Sequence, residues 1–315
     1  MGRNIGENMG KIAFIFSGQG AQYPGMGKSI YEGSEAAKAI FNLSETLRPG
    51  TKAQCFEGTK EDLSQTVNTQ PCLYTVDLAI ASAVKEAGIV PDAVAGFSLG
   101  EIAALTFAGV MSEEDGFRLV MKRGQLMHDA GEKNPGAMAA VMRLTPEQVT
   151  ELASEYDVWS VNYNSPAQTV VAGPKKKMPE FLAAVKAQRG MAVPLAVSGA
   201  FHSPLMAEAA KGLEVILESM EYHEGWCPVY ANTTAEPYPQ NPEEAKQLTA
   251  LQVKSPVQWQ KTIETMVKDG FDTFIEVGAG KTLTGLVKKI APAVTAINVE
   301  SIEDLEKEEI RNVRK

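Results

Sequence analysis

The stretch VAGFSLGEIAAL at residues 94–105 decides the fold of this chain, because it joins a strand-like run directly to a helix-like run. Ser98 lies at the sharp turn between them, which is the pattern of a nucleophile elbow in an α/β protein. Gly96 and Gly100 flank it, and a side chain at either position would crowd the crossing backbone. The turn also aims the amide of Leu99 at a negative oxygen formed beside the serine. We therefore predict that Ser98 is a nucleophile and that Leu99 supplies half of an oxyanion hole.

The bulk composition is ordinary for a globular protein and argues against several classes of function. The chain has 315 residues, 44% hydrophobic and 22% charged, enough for one large domain or for a large and a small one. A net charge of −9 argues against nucleic acid as the main partner, since phosphate binding favours a basic surface. No apolar run approaches the roughly 20 residues that span a bilayer, and no signal peptide is recognisable. We expect a cytoplasmic protein without a membrane partner, with residues 1–9 as a disordered leader.

Cysteine and histidine are too sparse to indicate a disulfide framework or a metal site. The three cysteines form no CxxC pair and are odd in number, which is typical of a reducing compartment. The three histidines, at positions 128, 202 and 223, are scattered, and no Cys/His cluster has zinc-ligand spacing. We expect no metal.

The pattern of predicted elements divides the chain into a core and an insertion. A strand at Lys11–Phe16 leads into the glycine-rich loop SGQGAQYPGMG at 17–27. Within residues 133–198 the order is strand, helix, strand, strand, helix, strand, which is the βαββαβ pattern of a ferredoxin-like subdomain. After the insertion, strands and helices of the core type return. The chain then ends in a mixed-charge tail, 302–315, which we predict to be a solvated helix. We predict an α/β core with a parallel sheet, formed by 10–132 and 199–315, and an inserted subdomain at 133–198.

A serine hydroxyl is a weak nucleophile and needs a base within hydrogen-bond reach. His202, in SGAFHSP, lies where the insertion returns the chain to the core, so it can face a cleft between the two parts. It also follows the serine, as the base does in elbow folds. His128 and His223 have acidic neighbours and read as surface residues. For the third member of a triad, Asp115, Asp129 and Asp157 are candidates by position only, and a backbone carbonyl is the alternative.

Arg123 is unusual because it falls on the apolar stripe of a predicted helix at 113–130. Either its stem packs while its head reaches water, or it awaits an anionic partner such as a substrate carboxylate. In the loop after the first strand, Gln19 is a weaker candidate, as the second oxyanion amide.

Two further motifs have ordinary explanations beside functional ones. VGAGKTLTG at 277–285 invites a nucleotide-binding interpretation, but the phosphate loop requires glycine at 275, where the chain has Ile275. The alternative is a strand end, a turn and a helix start. Lys175–Lys177 is the densest basic run in an acidic chain and is most often a solvated loop.

Several separated motifs together resemble the malonyl-CoA:acyl carrier protein transacylases of fatty acid synthesis, in the order found in that family. The resemblance covers about Lys11 to Ile290 and rests on FSGQGAQ (16–22), GFSLGE (96–101), MKRG (121–124), NYNSPAQTVVAG (162–173), SGAFHSPLM (198–206), QVKSPVQW (252–259) and EVGAGKTLTGL (276–286). It implies an α/β-hydrolase-like core with a ferredoxin-like insertion.

The resemblance also implies roles for individual residues. Ser98 would be acylated, His202 would be the base, and Arg123 would hold the malonyl carboxylate. Gln19 and Leu99 would supply the oxyanion amides. Two residues are grouped with substrate binding: Phe201 would crowd an α-methyl group, and Gln252 would orient the histidine through its main-chain carbonyl. The chain departs from the family at Phe97, where most members have histidine.

The implied reaction moves a malonyl group from malonyl-CoA to the phosphopantetheine thiol of acyl carrier protein through a malonyl-serine. The thioesters are substrates, and we expect no cofactor and a monomer. For the acidic carrier protein we expect a local basic surface, at Lys175–Lys177 or at Lys288 and Lys289. Two rivals stay open: a serine esterase or thioesterase on the same elbow, and a non-catalytic nucleotide-binding or scaffold protein built around GAGKT.

Overall fold

The computed structural model describes residues 10–197 and 199–313, and within them alternating helices and strands form two sheets. The strands are β1 (Lys11–Phe16), β2 (Ala93–Gly96), β3 (Gly136–Met142), β4 (Trp159–Ser165), β5 (Gln168–Pro174), β6 (Met191–Pro194), β7 (Val229–Tyr230), β8 (Phe271–Val277) and β9 (Thr295–Val299). The α-helices are α1 (Lys28–Gly33), α2 (Glu35–Leu47), α3 (Thr51–Glu57), α4 (Lys60–Ser64), α5 (Thr66–Glu86), α6 (Leu99–Phe107), α7 (Glu113–Lys133), α8 (Pro146–Ser154), α9 (Met178–Ala187), α10 (Ala207–Glu218), α11 (Pro242–Leu251), α12 (Trp259–Lys268), α13 (Thr282–Ile290) and α14 (Glu308–Val313).

The core is a five-stranded parallel sheet in the order β7-β2-β1-β8-β9, with helices on both faces. The central strand β1 shows why both faces are covered, since successive side chains of a strand point to opposite sides. Phe14 and Phe16 join the hydrophobic cluster that includes α2, α5, α6 and α7. Ala13 and Ile15 join the cluster that includes α12 and α13. The α/β class predicted from the elbow is confirmed.

The insertion forms a separate antiparallel sheet in the order β4-β5-β3-β6, with α8 and α9 packed against it. Its elements follow the predicted βαββαβ order and lie within the predicted range 133–198. The amide of Tyr163 donates to the carbonyl of Val257, and the amide of Val257 donates to the carbonyl of Val161. These bonds tie the insertion to the core beside the start of α12.

Parallel strands bring all their carboxyl ends to one edge of a sheet, where open α/β sheets bind ligands. Three loops at this edge matter for the site. Ser17 to Gly20 follow β1, Ser98 follows β2, and Asn232 follows β7. Residues distant in sequence therefore meet at this edge.

The structure corrects some predicted elements. Residues 28–48 are helical in character, which predicts one helix, but they form two, because Ser34 interrupts the stretch and caps α2 by accepting from the amide of Ala37. The tail is not a solvated helix: Leu305 and Ile310 are buried, and Ile310 is fully covered. The predicted leader at 1–9 lies outside the described residues. Over 10–197 and 199–313, no helix has the length and apolar character needed to cross a membrane.

Candidate active site

The turn at Ser98 requires glycine on both sides. A Cβ on Gly96 would lie 2.0 Å from the carbonyl of Gly100, and one on Gly100 would lie 2.3 Å from the carbonyl oxygen of Phe16. Ser98 itself has φ 55° and ψ −103°, a backbone conformation that residues other than glycine rarely adopt. Such a strained serine at the start of a helix is the geometry of a nucleophile elbow.

The structure brings the predicted base to the predicted nucleophile. Nε2 of His202 lies 2.7 Å from Oγ of Ser98, although the residues are 104 positions apart. Nδ1 of His202 lies 2.9 Å from the carbonyl oxygen of Gln252 and 3.2 Å from that of Ser255. Carbonyls only accept, so Nδ1 carries the proton and the lone pair of Nε2 faces the serine hydroxyl. This tautomer is the one that a general base needs.

The protonation state of His202 also suits a base. Burial and, second to it, the nearby charge of Arg123 lower the pKa of His202 from its ordinary value of 6.5 to about 4. The two carbonyls at Nδ1 act in the opposite direction, but burial outweighs them. The imidazole is therefore neutral at pH 7 and ready to accept a proton.

Arg123 is buried, with only 2% of its surface exposed, so the alternative in which its head reaches water is wrong. Its Nη2 donates to Oγ of Ser98 at 3.2 Å and to Oε1 of Gln252 at 2.9 Å. Burial lowers the pKa of Arg123 to about 10, which leaves it charged at pH 7. Its Nε–H is buried without a partner. A buried cation with a free donor beside a nucleophile is suited to an incoming carboxylate.

Gln252 connects the base to the cation. Its main-chain carbonyl holds His202, and its side chain holds Arg123. Its Nε2 also donates to the carbonyl oxygen of Ser98 at 2.8 Å. One residue therefore fixes three others, and the acidic candidates are not among its partners. Each of those candidates lies at the surface with a local partner: Asp115 with Ser112, Asp129 with Gln125, and Asp157 with Lys177.

The two predicted oxyanion residues come from different elements, Leu99 from the start of α6 and Gln19 from the loop after β1. Leu99 is the first residue of α6, where backbone N–H groups lack an acceptor within the helix. Gln19 lies in the loop after β1, and its side chain donates to Thr66 at the start of α5. Gln19 also lines a cavity of about 220 Å³ that extends from the elbow toward the insertion.

Asparagines missed as functional candidates line the same cavity. Asn162 and Asn164 on β4 are buried, and the Oδ1 atom of each has no hydrogen-bond partner. Buried acceptors are normally satisfied, so these two mark a place where a ligand with N–H groups fits. The sequence signal was present in NYNSPAQ, where polar residues alternate along a strand.

Phe97 and Phe201 directly precede Ser98 and His202 in the sequence. Phe97 lines the cavity, and its ring packs against Trp259 with centroids 5.4 Å apart and planes at 64°. Phe201 is buried directly before His202, and its ring lies against Gly199. Its predicted role in crowding an α-methyl group on the substrate stays a prediction.

The GAGKT segment is explained by an internal anion. The amides of Leu283 and Thr284 at the start of α13 donate to the two carboxylate oxygens of buried Glu276, at 3.0 and 2.7 Å. In a phosphate loop, such amides would hold the phosphate. Here a carboxylate of the chain occupies them, so the nucleotide-binding interpretation loses its site.

The remaining chemical candidates lie apart from this cluster. His223 is exposed beside Glu221, and the three cysteines are buried and unpaired. Within 10–197 and 199–313, no three His, Cys, Asp or Glu side chains come together in a group able to hold a metal.

Comparison with known proteins gives one family. Residues 13–311 match the model of the acyl transferase domain. The chain is 40% identical over 306 residues to the malonyl CoA-acyl carrier protein transacylase of Bacillus subtilis (strain 168), covering 95% of this chain and 96% of the relative.

Solved structures agree. The malonyl CoA-acyl carrier protein transacylase of Clostridium perfringens is 38% identical with a TM-score of 0.89, over 94% of this chain and 95% of its own. A malonyl-transacylase solved in complex with a type II PKS acyl-carrier protein is 33% identical with a TM-score of 0.92, over 96% and 99%. The chain therefore belongs to the acyl transferase family and, within it, to the malonyl CoA-acyl carrier protein transacylases.

Proposed function

We propose that the protein transfers a malonyl group from malonyl-CoA to the phosphopantetheine thiol of acyl carrier protein, through a malonyl ester of Ser98. The observation that carries this proposal is the meeting of a nucleophile, a neutral base and a buried cation within hydrogen-bond distance of one another. The base activates the serine, and the cation selects an acyl group that ends in a carboxylate.

In the first half-reaction, Oγ of Ser98 bonds to the thioester carbonyl carbon while Nε2 of His202 takes the hydroxyl proton. The amides of Leu99 and Gln19 hold the resulting oxyanion, and removing one such donor typically costs about 10²- to 10³-fold in rate. The carbon–sulfur bond then breaks, and the imidazolium returns its proton to the CoA thiolate. The products are malonyl-Ser98 and free CoA.

In the second half-reaction, the pantetheine thiol gives its proton to His202 and attacks the ester. The carbon–oxygen bond breaks, and Ser98 regains the proton. A thioester is consumed and a thioester is formed, so the steps balance without a redox or metal cofactor. The unpartnered oxygens of Asn162 and Asn164 are placed to accept from the amides of a pantetheine arm, which both substrates share.

Arg123 has a second proposed effect. By holding the malonyl carboxylate, it fixes the acyl group against the serine ester and limits attack by water. This effect separates a transferase from an esterase on the same elbow. We place the enzyme in the cytoplasm, as a monomer that serves fatty acid synthesis with an acyl carrier protein as partner.

Intact mass after mixing with malonyl-CoA tests the proposal. We expect a lasting malonyl adduct that is absent in Ser98→Ala and is discharged when the phosphopantetheinylated carrier protein is added. Release of CoA without an adduct would instead support a hydrolase. No reaction, together with affinity for ATP, would support the nucleotide-binding alternative.

A further inference from the structure

Glu101 is a buried carboxylate that the reaction outlined above does not use. It lies in α6, the helix that begins at the elbow, among otherwise apolar or small neighbours in LGEIAALTF. Only 1% of its surface is exposed. Burying a carboxylate costs free energy unless hydrogen bonds hold it, so its partners reveal what it is there for.

The partners of Glu101 lead to the nucleophile. Its Oε2 accepts the backbone N–H of Asn232 at 2.5 Å, and its Oε1 accepts the hydroxyl of Tyr238 at 2.5 Å. The side chain of Asn232 then holds the elbow on both sides of Phe97. Its Nδ2 donates to the carbonyl oxygen of Gly96 at 2.6 Å, and its Oδ1 accepts the N–H of Ser98 at 2.7 Å.

These bonds act on the strained part of the chain. A non-glycine residue at positive φ costs of the order of 1–3 kcal/mol and persists only where its surroundings fix it. Ser98 is such a residue, and Asn232 bonds to the backbone at and before it. Asn232 follows a strand of two residues, so its own position depends on other contacts, and Glu101 supplies one.

We infer that Glu101 is a positioning residue for the nucleophile: it fixes Asn232, and Asn232 fixes the elbow that aims Ser98 at His202. Glu101 does not touch the reacting atoms. Burial raises the pKa of its carboxyl to about 7, and the hydrogen bonds from Tyr238 and Asn232 and the weaker effect of the Arg123 charge only partly offset that burial. The inference rests on the proposed function only for its kinetic readout.

The test is a double-mutant cycle with Glu101→Ala, Asn232→Ala and the double variant. Because the two residues act in series, we expect each single change to lower kcat by about 10- to 100-fold, with the double variant no worse than the poorer single one. KM for malonyl-CoA should change much less than kcat, because Arg123 keeps its direct bonds to Ser98 and Gln252. Labelling of Ser98 by a sulfonyl fluoride, followed by intact mass, should slow in parallel with kcat.

Conservative and remote variants separate positioning from stability. The amide oxygen of Glu101→Gln can still accept from Asn232, and Tyr238 can turn its hydroxyl toward Thr249, 3.4 Å away. Glu101→Gln should therefore recover most of the activity lost in Glu101→Ala. Asp304→Asn is the matched control, since Asp304 also accepts two backbone N–H groups but lies in the C-terminal segment. It should leave kcat unchanged.

Each outcome decides the question. Additive losses, a change confined to KM, or failure of Glu101→Gln to restore activity would overturn the inference. If Glu101→Ala does not fold, Asn232→Ala decides alone, and unchanged labelling of Ser98 would overturn it. If the wild type labels normally but transfers no malonyl group, the proposed function fails while the labelling cycle still tests Glu101.

Discussion

At the scale of single residues, the roles proposed for Arg123 and His202 require opposite charge states from two neighbouring side chains. A base must be neutral to accept a proton, and a carboxylate-binding residue must stay charged. Burial lowers the pKa of both, but from such different starting values that His202 is neutral and Arg123 charged at pH 7. One environment therefore produces both protonation states.

Replacing Arg123 by Ala should remove selection for a dicarboxylic acyl group. Loss of one partner of a buried charge pair costs roughly 2–5 kcal/mol, so kcat/KM for malonyl-CoA should fall by about 30-fold to several thousand-fold. Acetyl-CoA lacks the carboxylate, and its transfer should change far less. Steady-state rates with the two thioesters measure this. Arg118→Ala is the control, since Arg118 lies exposed on the same helix with Glu114 as partner. An unchanged ratio of malonyl to acetyl rates would disprove the carboxylate role.

The pH dependence of serine acylation should reflect the lowered pKa of His202. The base works when deprotonated, so a pKa of about 4 predicts a rate that stays constant from pH 8 to about 5 and falls below that. Rapid quenching followed by intact mass measures the acylation step. In Arg123→Ala the fall in rate on the acid side should begin at a higher pH, because loss of the nearby positive charge raises the pKa of His202. A wild-type midpoint near 6.5 would contradict the assigned environment.

Residues with a recognisable local pattern could be predicted from the sequence, and the structure places Ser98 and His202 2.7 Å apart. Asn232 and the function of Glu101 could not be predicted. Their contacts join positions 131 to 137 apart, and nothing local in ANTTAEP indicates that an asparagine there reaches the elbow. Glu101 gave a weak signal, as a single carboxylate in an apolar helix.

At the scale of elements, the elbow is held by contact between backbones. Its two glycines face atoms that cannot rotate away, because those atoms are carbonyls of the next turn and of β1. The strand, the turn and α6 therefore form a single rigid unit. This unit sets the position of the serine, and the hydrogen bonds of Asn232 hold its backbone there.

Gly96→Ala or Gly100→Ala should lower the free energy of unfolding by about 3 kcal/mol or more. Ordinary overpacking of a core costs up to roughly 3 kcal/mol, and here the added methyl group meets backbone atoms. Urea denaturation measures the free energy of unfolding. Gly285→Ala is a matched control in α13, where an added Cβ meets nothing within 4 Å. It should stabilise by about 0.5–1 kcal/mol, since alanine is the better helix former. Equal midpoints for the elbow variants and wild type would show that the turn can relax.

Long periodic elements were predicted well, and short or edge elements were not. The predicted helix over 113–130 is observed at Glu113–Lys133, and the side chain of Ser112 caps its first turn. The short helices α3 and α4, the helix α11 and the edge strand β9 were not predicted. These are stabilised mainly by packing against other elements, which local sequence does not encode.

At the scale of the whole molecule, the site exists because two sheets meet. The core supplies Ser98 and His202, the proposed nucleophile and base, and β4 of the insertion supplies the asparagines of the cavity wall. The bridge from Val161 and Tyr163 to Val257 fixes this arrangement near α12. The sequence predicted both parts, but their relative placement depends on contacts between distant segments.

The molecule carries a net charge of −9, so an acidic carrier protein needs a local basic surface. Of the two predicted surfaces, Lys175–Lys177 is partly neutralised, because Lys177 pairs with Asp157 at 3.6 Å. Lys288 and Lys289 are exposed in the last turn of α13. The first turn of this helix lines the cavity proposed for the pantetheine arm. The lysine pair is therefore the better candidate.

Reversing both charges, Lys288→Glu with Lys289→Glu, should raise KM for the carrier protein by about tenfold at low salt. Acylation by malonyl-CoA should be unchanged, since it is measured before the carrier is added. The loss should shrink at 0.5 M salt. The Debye length is then below about 5 Å, so exposed charges are screened from each other. Lys211→Glu, an exposed reversal on α10, is the control. Equal losses with CoA and carrier, or a loss that persists at high salt, would place the docking surface elsewhere.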